Sequence, residues 1–182
     1  MNILTIQIIS FFILLVLGSL LHFTHAWFKK GILLHFFSAL NESTWEHMKM
    51  LVAPTLIVTI LQYFLLKDQY GNLNNSFFIL LFIEILTIPA LFETLKRIVK
   101  KVPFAITITI FVLAIIFGLI GQYFSLINNF MLFPENVALI IYVFIILCFA
   151  IFSYYPPKFF IFKDPITGKY GDVNEQESKR SK

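Results

Sequence analysis

From Phe104 to Leu126 the chain reads FAITITIFVLAIIFGLIGQYFSL, without one charged residue. A bilayer's hydrocarbon core is about 30 Å thick and takes roughly 20 apolar residues of α-helix to cross. This stretch has that length. Its apolar character is continuous, without the alternation of a barrel strand. A helix also satisfies its own backbone hydrogen bonds where no water can reach. Working outward, four more runs share the character: residues 3–23, 48–66, 77–95 and 137–154. The expected fold is all-α, an integral membrane bundle of five transmembrane helices within residues 1–157. The run from Ile3 lacks a positive n-region and a cleavage site, so it reads as a retained first span rather than a signal peptide.

Composition agrees. The chain is 59% hydrophobic and 13% charged, with mean hydropathy +0.85, against about 25% charged residues in an ordinary soluble domain. Membrane lipids are therefore the first partners implied. The formal charge of +4 sits in short clusters beside apolar runs, which points to membrane orientation and not to nucleic acid. Cys148 lies inside an apolar run and reads as a small buried residue.

Lys29 and Lys30, with Lys49 at the very start of the second span, are counted to the loop between the first two spans, Lys96, Arg97, Lys100 and Lys101 lie between the third and fourth, and Lys158, Lys163 and Lys169 after the fifth. With five spans these groups share one side. The positive-inside rule then places the chain in the cell membrane with its N-terminus outside and its C-terminus in the cytoplasm. Gly31–Leu40 is apolar but too short to span, which suits an interfacial or re-entrant helix after the first span. Residues 158–182 form the expected cytoplasmic tail, with turn chemistry at 164–168 and a charged, disordered end.

The polar stretch Asn41-Glu42-Ser43-Thr44-Trp45-Glu46-His47 stands out against this background. Ser43-Thr44-Trp45-Glu46 fits a capping box, so it could simply start the second helix, with Trp45 as a headgroup anchor. Capping leaves Asn41, Glu42 and His47 unexplained. His22 and His25, spaced i, i+3, share a helix face just upstream. Together with Glu46 and His47 they form a donor set suited to zinc or another divalent metal. Glu42, Glu46 and His47 are equally candidates for general acid–base catalysis. His22, Asn41, Ser43 and Trp45 are candidate ligand-binding residues for a small polar molecule, a headgroup or a cation. His35, alone in an apolar stretch, reads as interfacial. Glu84, mid-span in the third run, is a further ligand-binding candidate, since an intramembrane carboxyl is costly without a role.

The sequence Asn41 to Lys49, NESTWEHMK, with Leu21-His22-Phe23 before it, resembles the signature of a family of small bacterial membrane proteins of unknown function. Phe162 to Gly171, FKDPITGKYG, is similar to that family's ending. His25 stands outside the pattern. The resemblance implies a multi-pass membrane protein and supplies no activity. Three classes of function stay open: a His/Glu site at the cytoplasmic boundary that binds or transforms a polar headgroup or small molecule, a small transporter or ion conductor using Glu84, and a scaffold in which the motif only caps a helix.

The orientation has a direct test. Cysteines introduced near Asn72 and near Lys100 are expected to react with impermeant reagent from opposite sides of intact cells; labelling of both from outside would refute it.

Overall fold

A computed structural model describes residues 2–27, 38–99 and 102–171 of the chain. The helices are α1 (Ile3–Trp27), α2 (Thr44–Leu66), α3 (Leu73–Ile98), α4 (Phe104–Ile127) and α5 (Glu135–Tyr154), followed by a 3-10 turn at Phe160–Phe162. The fold is all-helical, and all five helices are long and apolar enough to cross a membrane. Phe64, Ile140 and Phe144 are each more than 60% exposed. Lipid solvates such faces, whereas contiguous exposure of this kind in water would drive association. The Gly31–Leu40 segment lies outside the described residues up to position 37, and Ser38–Ser43 runs as bends into α2. The chain from residue 172 onward also lies outside them.

Two helices begin earlier than their apolar windows, each for a polar reason. Ser43, in extended conformation, accepts the Glu46 amide on its Oγ at 3.4 Å, so the polar motif forms the first turn of α2. At the start of α3 the cap comes from another helix. The Glu135 carboxylate, in the first turn of α5, accepts the amides of Asn74 and Asn75 at 2.8 and 3.1 Å. Asn75 Oδ1 in return accepts the amides of Leu132 and Phe133 at 2.9 and 3.0 Å. Glu135 has no basic neighbour in sequence because its partners are these amides.

Helix α1 packs on α2 and α4, while α3 packs on α2, α4 and α5. The α3–α4 contact is close at Gly118, where a Cβ would fall 2.8 Å from Glu84 Cγ and 3.1 Å from the Leu80 carbonyl. Small residues at helix crossings permit such approach inside a membrane. Helix α2 is the central element: every residue from Thr44 to Thr55 is buried.

Polar groups inside the bundle pair with one another in layers. Toward the end opposite the motif, Gln7 donates to Gln122 at 3.0 Å, Gln122 to Gln62 at 2.7 Å and Gln62 to Ser10 at 2.8 Å, tying α1, α2 and α4 together. Midway, Thr55 donates to Glu84 Oε2 at 2.6 Å, and Thr59 and Tyr142 share a hydrogen bond of 2.8 Å. Glu84 is fully buried and faces the bundle interior.

After α5 the chain folds back over the motif. Asp164 organises this return: its carboxylate accepts the amides of Ile166 and Thr167 at 3.2 and 3.1 Å, and its carbonyl accepts the Gly168 amide at 2.9 Å. Gly168 has φ +70°, where a side chain would be strained. A single antiparallel bridge joins Lys163 to Tyr170.

Candidate functional site

Nearly every side chain of the Asn41–His47 stretch has a defined partner, and most partners are distant in sequence. Asn41 Oδ1 accepts the Ser43 amide at 2.8 Å, and its Nδ2 donates to the Gly171 carbonyl at 3.0 Å. The Thr44 hydroxyl donates to Glu93 Oε1, which also receives Lys96 Nζ at 2.9 Å. Lys96 Nζ reaches the Thr44 hydroxyl as well, at 3.0 Å. Thus the last turns of α3 are fastened to the first residue of α2, and Glu93 does more than pair along its own helix.

Trp45 does not sit as a headgroup anchor. Its ring stacks on Phe149 of α5 at 4.1 Å and 12°, and it meets Phe162 of the 3-10 turn at 4.4 Å. It is 8% exposed. Its role is the aromatic contact joining α2, α5 and the returning tail.

Glu46 departs from the capping-box expectation. Its carboxylate does not return to the Ser43 amide; Oε2 accepts the Leu40 amide at 3.0 Å. The same oxygen lies 2.5 Å from Lys49 Nζ, with side-chain exposures of 4% and 1%. Both charges are therefore paired inside the protein. Two expectations change. Glu46 is engaged by Lys49 and does not lend a free carboxylate to a cation, and Lys49 is a buried partner and not a loop charge. Burial of the side chain, which no local pattern reveals, accounts for both.

His22 and His47 do come together. They line one cavity of about 250 Å³ bounded by α1, α2 and α4 at the motif end of the bundle. Ser19 and Thr107 add hydroxyls, while Phe104 and Phe111 form aromatic walls. The Phe104 ring lies 6.4 Å from that of His22. His47 Nε2 is 3.7 Å from Glu42 Oε2, and its ring meets Phe92 edge-on at 5.0 Å. The Nδ1 atom of His47 is buried without a hydrogen-bond partner among the described residues.

Neither Glu46 nor Glu84 belongs to this cavity, and most of its wall is apolar. Among the described residues no three His, Cys, Asp or Glu side chains gather as a metal site. The side chain of His25 and all of His35 lie outside the described residues. Sequence reasoning passed over Gly18, Met50 and Phe111, which shape the cavity. Pro54 carried a signal for one of them, because it has no N–H to give the Met50 carbonyl one turn earlier.

A sequence profile of a family described as "Family of unknown function (DUF6512)" matches residues 3–172. No curated protein and no solved structure matches the chain.

The Glu46–Lys49 pair makes a sharp stability prediction. Lys49→Met strands a buried carboxylate and should cost about 3–5 kcal/mol, read as a lower thermal midpoint in detergent. Combining it with Glu46→Gln removes both charges, keeps an acceptor for the Leu40 amide, and should recover most of the loss. A double variant no better than the single one would refute the pairing.

Proposed function

We propose, for a chain that belongs to the DUF6512 family of unknown function, that its working site is the His22/His47 cavity and that it binds the polar part of a small molecule or lipid at the cytoplasmic membrane boundary. The observation that carries this reading is the sharing of one cavity of about 250 Å³ by two imidazoles from different helices. The surrounding motif serves as the frame. Asn41, Thr44, Trp45 and Glu46 are occupied with the tail, α3, α5 and Lys49 respectively. His47 keeps a buried ring nitrogen without a partner among the described residues, and a buried polar atom without a partner costs about 1–3 kcal/mol. Glu42, 47% exposed at its side chain, brings a carboxylate oxygen 3.7 Å from His47 Nε2.

Native mass spectrometry of the protein extracted in mild detergent tests this. The parent is expected to retain a noncovalent adduct whose occupancy falls roughly tenfold in His47→Gln, the equivalent of one lost hydrogen bond. Equal occupancy in the parent, His47→Gln and His22→Ala would overturn the assignment.

A second reading, a small proton or ion conductor, rests on Glu84. It is fully buried, takes one hydrogen bond from Thr55, and its Oε1 has no partner among the described residues. In proteoliposomes holding a pH-sensitive dye this reading expects a flux that Glu84→Gln abolishes and His47→Gln leaves intact. A parent protein that conducts nothing would eliminate it.

A further inference from the structure

The walls of the His22/His47 cavity are sorted by depth. On α1, His22 and Ser19 lie toward the motif end, with Gly18 and then Leu15 further into the span. On α4 the order is Phe104, Thr107, Ile108, Phe111. At 1.5 Å per residue, His22 to Leu15 covers about 10 Å of helix axis. On α1 and α2 the wall thus runs from polar at the boundary (His22, Ser19, His47) to apolar inward (Leu15, Met50), while α4 presents the apolar Phe104 outermost and Thr107 below it.

Its edge is exposed on the side that faces the bilayer. Phe104 is 63% and Ile108 45% exposed, and both line the cavity. Among the described residues the lining itself holds no acidic side chain, and Glu42 stands behind it, 3.7 Å from His47 Nε2. The polar members of the lining are imidazoles and hydroxyls, which can donate to an acceptor-rich group such as a phosphate. At about 250 Å³, the space falls short of the roughly 300–1,000 Å³ that encloses a whole drug-sized ligand. It holds the junction between a headgroup and a chain, with the rest of the lipid left in the bilayer. A water-soluble anion would leave the inner, apolar half of the wall uncovered. Gly18 closes the inner end: a Cβ there would fall 2.4 Å from the Phe111 ring and 3.2 Å from the Met50 carbonyl, so Phe111 packs directly on the α1 backbone.

We propose that the occupant is a glycerophospholipid that enters sideways from the cytoplasmic leaflet, its phosphate received by His22, His47 and Ser19 and the upper part of one acyl chain laid along Leu15, Ile108 and Phe111. This rests on the site assignment made above and names its ligand class.

The test uses the full chain in vesicles of digalactosyldiacylglycerol, a bilayer lipid without phosphate, doped with phosphatidylglycerol that carries a diazirine high on one acyl chain. After irradiation, labelled residues are mapped. Labelling should concentrate on 15–22 and 104–111, roughly tenfold above the lipid-exposed α5 residues Ile140 and Phe144. Ile108→Trp fills the mouth from an exposed position, should leave the thermal midpoint unchanged, and should remove the enrichment. Diacylglycerol with the same diazirine chain lacks the phosphate and should show no enrichment. Three outcomes overturn the proposal: label spread evenly over all lipid-facing helices, enrichment that survives Ile108→Trp, or diacylglycerol enriched as strongly as phosphatidylglycerol. If labelling is even while native mass spectrometry still shows a His47-dependent adduct, the site stands and only its lipid occupant falls. If labelling is even and no such adduct exists, both fall.

Discussion

The ion pair between Glu46 and Lys49 is the interaction on which the motif end of this bundle depends. Both groups are buried inside the first turns of a helix enclosed on all sides. Either charge alone would be prohibitive there. The pair can exist only because the helix start is built around it. Glu46 spends its remaining capacity on the Leu40 amide, which fixes the approach of the preceding chain. Ser43 and Asn41 satisfy the amides that Glu46 leaves open. With the first turn of α2 so determined, Thr44, Trp45 and His47 point to α3, to α5 and to the α1–α4 side in turn. The position of the two-histidine cavity follows from the solution to a charge-burial problem.

The two segments that resemble a family's signature, one before α2 and one after α5, are in contact. Asn41 donates to the Gly171 carbonyl across 130 residues of chain, and Trp45 lies against Phe162. Their unusual polarity in an apolar protein has a shared physical reason: each completes the other's hydrogen bonds and aromatic packing. Most of the motif is thereby engaged within the protein, while His47 lines a cavity with His22 and lies 3.7 Å from Glu42.

The span architecture was legible because apolar length is a local property; the run from Phe104 needs no partner to be recognised as a helix. The Ser43 cap was legible for the same reason, since its acceptor and the Glu46 amide are three residues apart. What the sequence could not show were partners. Nothing local tells that Thr44 meets Glu93, that Glu135 caps α3, or that Trp45 stacks on Phe149. Lys49 illustrates the error this produces. Its position beside a loop made it look like an orientation charge, whereas its environment is that of a core residue. For the cavity, the nearness of His22 and His47 could be inferred from an antiparallel helix pair. Its third wall, α4, could not, because helix adjacency is set by packing that periodicity does not encode.

The return of the tail to Asn41 imposes an order in time. Ribosomes add about 5–20 residues each second, so the 130 residues between Asn41 and Gly171 take roughly 6–26 s to synthesise. Throughout that interval α2 exists with the aromatic face of Trp45 uncovered and the Asn41 amide unanswered. Closure of the motif therefore requires that α5 and the segment through Gly171 have both been made. A chain that stops before α5 leaves the Trp45 ring without Phe149 and Phe162, the partners that cover it in the finished fold.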